Sequence, residues 1–100
     1  MYLVAHIIQR NVLKEFHYST KGNEWTEATN WIDPYINYCD WMGVQCLNYT
    51  IIGLNLTHNG LSGKLYEGIA SLHELKVLDL SDNDIKVCLS GIFVNIFILM

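Results

Sequence analysis

Residues that commonly carry out chemistry are present in this 100-residue chain, but their spacing fits no metal-binding pattern. The four histidines are scattered, and the three cysteines form no Cys-x-x-Cys pair of the kind that binds zinc. The acidic run 82–84 begins like a calcium loop, yet Val87 and Phe93 stand where that loop needs Gly and Glu. We therefore expect no metal site and no cofactor.

Catalytic and nucleic-acid-binding signatures are missing as well. The sequence contains no glycine-rich phosphate loop and no nucleophile elbow. A formal net charge of −4 gives no electrostatic support for binding nucleic acid. We therefore expect a protein that is not an enzyme and has no nucleic-acid partner.

A 24-residue repeat is the most informative feature of the chain. The two copies read Ile51-x-x-Leu54-x-Leu56-x-x-Asn59-x-Leu61 and Leu75-x-x-Leu78-x-Leu80-x-x-Asn83-x-Ile85. Leucines that alternate with other residues predict a short strand with one buried face in each copy. This period and pattern are the signature of a leucine-rich repeat, which builds binding surfaces and rarely catalyses a reaction.

The same register continues through the rest of each copy. Leu65 maps to Leu89, Ile69 to Phe93, Leu72 to Ile96 and Leu75 to Leu99. It predicts repeats over 51–74 and 75–98, and a third repeat that begins at 99–100. Because two repeats seldom suffice for stability, we interpret the chain as a piece of a longer solenoid whose apolar C-terminal end could self-associate.

Two asparagines fall where the chain leaves the predicted strands. Asn59 and Asn83 can use their amide donors and carbonyl oxygens to pair backbone groups of neighbouring turns. Such groups would otherwise be buried and unpaired, at a cost of roughly 1–3 kcal/mol each. We predict that these two side chains form a structural asparagine ladder.

Polar residues between and just after the inward leucines are the candidates for contact with a partner on the concave face. They are Asn55, Thr57, His58, Asp79, Ser81 and Asp82. The partner would be a protein, a peptide or a glycan. The alternative, which the sequence leaves open, is a merely solvated surface on a structural cap or fragment that has no binding function of its own.

The segment Asn59-Gly60-Leu61-Ser62-Gly63-Lys64-Leu65 resembles the plant-type leucine-rich repeat, although Val87 replaces the glycine in the second copy. Residues 16–46 resemble the N-terminal cap of the same receptor-like ectodomain family. The most specific stretch is Cys39-Asp40-Trp41-Met42-Gly43-Val44-Gln45-Cys46. The resemblance implies an α/β repeat solenoid behind a helical, disulfide-bearing cap over 1–50, with Cys39 joined to Cys46.

Within the cap, Val4, Ile8, Val12 and Phe16 recur every four residues and predict an amphipathic helix over 3–18. A solenoid exposes a leucine-lined end unless something covers it. Three tryptophans supply apolar area for that purpose, and we expect them in the core. They are Trp25, Trp31 and Trp41.

The expected location is extracellular or at the cell surface, because a disulfide needs an oxidising compartment. Two sequons agree with this location, at Asn48 and Asn55. No signal peptide is visible, which we attribute to loss of the true start, and no run is long enough to span a membrane. The partner of Cys88 and the identity of the ligand are not encoded in any pattern.

Overall fold

A computed structural model describes residues 2–87 and 96–100 of the chain. One helix, α1, spans Tyr2–Ser19, and short 3-10 turns cover Gly22–Glu24, Tyr38–Asp40 and Glu67–Ser71. The strands are β1 Val44–Leu47, β2 Thr50–Asn55, β3 Ser62–Lys64, β4 Val77–Asp79, β5 Asp84–Lys86 and β6 Phe97–Leu99. Within the described ranges, no helix combines the length and the apolar character needed to cross a bilayer.

The strands of the described residues form two sheets. The larger sheet has the order β1-β2-β4-β6, in which β1 is antiparallel to β2 and the other neighbours are parallel. Leu54 pairs with Leu78, so β2 and β4 are 24 residues apart, as the repeat predicts. A second, two-stranded sheet pairs β3 with β5 in parallel.

The third parallel strand lies in a different register from the one that the sequence predicts. Leu78 pairs with Ile98 and Asp79 with Leu99, an offset of 20 residues, whereas the repeat maps Leu75 onto Leu99. Alternation sets the register of a strand, and residues 96–100 are apolar at every position, so that signal is missing. Ile96, the predicted match of Leu72, is partly buried against the core. The other two predicted matches, Leu89 and Phe93, lie outside the described residues, as does Cys88.

The first half of α1 is more exposed than its apolar stripe predicts. Val12 and Phe16 are buried, but Val4 and Ile8 are 55% and 52% exposed. A four-residue period identifies the apolar face of a helix, but it does not determine how much of that face other elements cover. Only the C-terminal half of α1 therefore contributes to the core.

The three cap tryptophans lie in that core, and two of them, Trp25 and Trp31, contact Phe16. The ring centroids of Trp25 and Trp31 are 4.8 Å apart, and those of Trp31 and Trp41 are 5.1 Å apart. Each indole N–H donates to a backbone carbonyl, for example Trp31 Nε1 to Met42 O at 2.8 Å. The buried cluster continues without a break into the leucines of both repeats, so cap and repeats share one core.

Candidate functional site

Two polar motifs, one at the end of each repeat strand, lie side by side on the larger sheet. Asn55 of β2 is the ladder partner of Asp79 of β4. Asn55 Oδ1 accepts hydrogen bonds from the Thr57 backbone N–H at 3.2 Å and from the Thr57 hydroxyl at 2.8 Å. Asp79 Oδ1 accepts the same pair from Ser81, at 3.1 Å and 2.6 Å. The repeat thus builds one local hydrogen-bond motif twice, 24 residues apart.

These hydrogen bonds also favour the ionised form of Asp79. The Ser81 hydroxyl and then the Ser81 backbone N–H lower the pKa of Asp79 below its ordinary value of 3.8. Desolvation acts in the opposite direction, and the Thr57 hydroxyl adds to the lowering. Asp79 therefore remains a carboxylate at all but strongly acidic pH, beside the neutral amide of Asn55.

His58 and Asp82 occupy equivalent turn positions immediately after these motifs. Both have positive φ, 51° and 59°, and both side chains are exposed. The His58 backbone N–H donates to Ser81 O at 2.9 Å, which fixes the turn of the first repeat against the second. All six residues that the sequence selected as contact candidates therefore lie at or beyond the ends of β2 and β4.

The same surface has an apolar part that was not predicted from the sequence. Val77 and Phe97 are ladder partners in β4 and β6, and they are 40% and 63% exposed. Leu99, which pairs with Asp79, is 38% exposed. Val77 was predictable, because residues two apart in a strand share a face and Val77 lies two residues before Asp79. Phe97 and Leu99 were not, because their place on this face depends on how β6 pairs with β4. We call Asn55, Thr57, Asp79, Val77 and Phe97 the strand face.

The two predicted sequons lie in different surroundings. Asn55 lies on the strand face itself, with its side-chain oxygen engaged by Thr57. Asn48 lies in the two-residue turn between β1 and β2, where its side chain is exposed. A glycan on Asn55 would cover the strand face, whereas one on Asn48 would project from the hairpin.

The cap is fixed covalently beside the sheet. Cys39, in the second 3-10 turn, is joined by a disulfide to Cys46 of β1, with the two Cα atoms 5.7 Å apart. The Asn37 side chain accepts a hydrogen bond from Cys39 N at 2.8 Å and caps that turn. The disulfide thus ties the Trp-rich segment to the first strand of the larger sheet.

The two asparagines that the sequence singled out pair with backbone groups of the preceding turn. Asn59 is 4% exposed, accepts from Glu27 N at 2.8 Å and donates to Glu27 O at 2.7 Å. Asn83 Oδ1 accepts from Asn59 N and Leu61 N, and its amide donates to Leu56 O at 2.8 Å. Each side chain therefore connects its own repeat to the unit before it.

In the ranges 2–87 and 96–100, no group of three or more His, Cys, Asp or Glu residues is placed to hold a metal ion. The strand face instead offers hydrogen-bonding groups, one carboxylate and exposed apolar area. Such a combination is suited to recognition of another molecule.

Comparison with known proteins identifies what the chain is similar to. A family model for the leucine-rich repeat matches residues 74–97. Receptor-like protein 5 of Arabidopsis thaliana is 33% identical over 84 residues, which cover 84% of this chain and 27% of the relative. Phytosulfokine receptor 1 of the same plant is 38% identical over 87 residues, covering 82% of this chain and 8% of the relative.

A third relative, the leucine-rich repeat receptor-like serine/threonine-protein kinase GSO2 of Arabidopsis thaliana, is 38% identical over 64 residues. That match covers 64% of this chain and 5% of the relative. The chain thus spans about a quarter or less of the relatives it matches. The kinase domains of such relatives lie outside the matched region.

Proposed function

Since this chain carries leucine-rich repeats of the plant receptor-like type, we propose that it is a non-catalytic recognition module. Its partner is a protein or a peptide, bound through the strand face, which is the concave face of a solenoid in the parent protein. The parent protein is secreted or displayed at the cell surface, where the Cys39–Cys46 disulfide is stable.

The observation that carries this proposal is the repeated polar motif on exposed strands. Asn55 and Asp79 are held by Thr57 and Ser81 before any partner arrives. Side chains that are already ordered lose less conformational entropy on binding, so their contacts yield more affinity. Two such motifs in register present a preorganised polar row to an extended peptide or a protein loop.

The neighbouring apolar area supports a protein or peptide partner in particular. Val77 and Phe97 lie next to the polar row and leave side-chain area in water. Interfaces between proteins combine an apolar, often aromatic centre with polar groups that fix orientation. The ionised Asp79 beside this area favours a partner segment that carries a cationic group next to an apolar side chain.

Two charge-reversal variants test whether the strand face is the surface that binds the partner. A random peptide library is selected against the chain, and the enriched peptides are measured against Asp79→Arg and Glu67→Arg. Glu67 is an exposed carboxylate in the third 3-10 turn, where it lines a groove with Lys64 and Lys86 of the smaller sheet. We expect Asp79→Arg to weaken binding about tenfold or more, and Glu67→Arg to leave it unchanged. Equal affinities of the peptides for both variants would exclude the strand face as the binding surface.

A structural role is the second candidate, and the junction between cap and first repeat favours it. Thr26 N donates to Asn59 O at 2.9 Å, and Glu27 pairs twice with the Asn59 side chain. A chain that only protects the first repeat would yield no peptides that distinguish Asp79→Arg from Glu67→Arg. The same experiment therefore separates the two candidates.

A further inference from the structure

The hairpin between β1 and β2 closes with a two-residue turn that contains a bulky residue, Tyr49. Asn48 and Tyr49 have φ values of 50° and 64°, so both central residues adopt the left-handed conformation of a type I′ turn. This conformation is rare for a bulky residue such as Tyr49. It is held because Tyr49 O accepts hydrogen bonds from the Tyr38 hydroxyl and from Gln9 Nε2. The turn is therefore a fixed platform that presents the Asn48 side chain to solvent.

Exposed apolar side chains lie in and beside this turn, and the Tyr49 ring also packs against the His6 ring, with centroids 5.7 Å apart. Leu47 and Tyr49 are 63% and 52% exposed, and Ile8 of α1 is 52% exposed. Ile8 and Thr50 line one cavity of about 330 Å³, and Leu47 is the ladder partner of Thr50. We call Ile8, Leu47 and Tyr49 the hairpin patch. The repeats do not explain this patch, because it lies on the cap side of the sheet.

We propose that Asn48 carries an N-linked glycan whose inner sugars cover the hairpin patch. Asn48-Tyr49-Thr50 is an acceptor sequon, and the turn places its asparagine next to exposed apolar and aromatic area. The C–H faces of a sugar ring pack against aromatic and aliphatic side chains, so an attached glycan removes apolar surface from water without a protein partner. The inference rests on the secretory location in the proposed function.

The second sequon provides an internal comparison. Asn55 lies on the strand face, next to Asp79, and its side-chain oxygen is bonded to Thr57. A glycan there would cover the surface assigned to the partner, whereas a glycan on Asn48 leaves that surface open. A glycan on Asn55 would therefore block partner binding at the strand face, whereas a glycan on Asn48 would permit it.

The test uses the full chain, secreted from a eukaryotic cell behind a supplied leader. Peptide mapping before and after enzymatic deglycosylation determines whether Asn48 and Asn55 are modified. Thr50→Val removes the hydroxyl that the sequon requires with little change in shape, Thr50→Ser keeps the sequon, and Thr57→Val removes the other sequon. We expect modified Asn48 in the wild type and in Thr50→Ser, but not in Thr50→Val.

Coverage of the patch is measured separately with a dye that binds apolar surface. Complete removal of the glycan from folded protein should raise dye fluorescence about twofold or more, while trimming to the first sugar should not. Wild-type protein serves where peptide mapping finds Asn55 unmodified, and Thr57→Val serves where Asn55 is modified, so that the rise comes from the Asn48 glycan alone. Unmodified Asn48, or fluorescence unchanged after complete removal, would overturn the inference. Modification of both asparagines would support it while contradicting the strand face as the binding surface.

Discussion

The side-chain oxygen of Asn83 accepts a hydrogen bond from the backbone N–H of Asn59, 24 residues earlier, at 3.0 Å. Asn59 makes the corresponding contacts one unit earlier, with Glu27 of the cap. The residue that defines the repeat in the sequence is thus the residue that joins successive units. Cap, first repeat and second repeat are connected by one series of equivalent asparagine contacts.

Loss of Asn59 should destabilise the chain more than loss of an exposed asparagine. Asn59→Ala leaves the Glu27 N–H and C=O without their partners, so we expect a loss of about 1–3 kcal/mol in the free energy of unfolding. Asn48→Gly is the control, since glycine suits the φ of 50° at that turn. Denaturant unfolding that gives equal losses at both positions would refute the structural role of Asn59.

The disulfide between Cys39 and Cys46 should behave as a single unit. By the loop-entropy relation, a closed loop of about eight residues contributes roughly 2.5 kcal/mol. Cys39→Ser, Cys46→Ser and the double variant should therefore lose the same amount of stability. Unfolding midpoints in oxidising buffer test this, and losses that add in the double variant would mean that the two thiols act independently.

Two glycines of the first repeat should respond differently to the same substitution. Gly60 and Gly63 have φ values of 73° and 83°, so alanine costs about 1–2 kcal/mol at either position. A Cβ on Gly63 would also overlap the Ser19 carbonyl oxygen, whereas one on Gly60 has Thr26 Oγ1 as its nearest atom, at 3.3 Å. We expect Gly63→Ala to lower the midpoint of thermal unfolding further than Gly60→Ala does. A larger loss for Gly60→Ala would mean that Ser19 of α1 does not lie against Gly63 of β3.

Stability should fall as the solution becomes mildly acidic, because of His17. Its ring stacks on Trp31 with centroids 5.9 Å apart, and its buried Nδ1 has no hydrogen-bond partner within the described part of the chain. Burial lowers the pKa of His17 below its ordinary 6.5. On acidification the unfolded chain therefore takes up a proton at His17 before the folded chain does. The stability that neutral His17 contributes is fully present above pH 6.5 and is lost as the pH falls from 6.5 towards the pKa of His17 in the folded chain.

The matched variants for this effect are His17→Phe and His73→Phe, since His73 is an exposed histidine of the repeat segment. Unfolding midpoints are measured between about pH 7.5 and pH 5. His17→Phe should flatten the decline and His73→Phe should preserve it. An unchanged decline in His17→Phe would assign the pH dependence to other groups.

The parts of the fold that the sequence predicts are those in which periodicity and chain geometry coincide. Leu54 and Leu78 pair as the 24-residue offset requires, and α1 spans Tyr2–Ser19 where the apolar stripe predicts 3–18. Such patterns work because a strand buries alternate residues and a helix buries every third or fourth residue. The family model and the receptor-like relatives confirm the identification of the repeat.

Other features depend on contacts that no local pattern encodes. The apolar run 96–100 has no alternation, so the pairing of Leu99 with Asp79 could not be read from it. The exposed Phe97 was therefore missing from the candidate surface. The hydrogen bonds from Ser81 that lower the pKa of Asp79 likewise follow from the conformation of the strand end.

Amide hydrogen exchange with and without a peptide selected from the library tests the central claim most directly. If the strand face binds, the bound peptide should slow exchange in segments 55–58 and 79–82. Exchange should stay unchanged in the third 3-10 turn, Glu67–Ser71, which lies away from the strand face. Protection confined to that turn or to helix α1, with none in the two strand-end segments, would contradict the account.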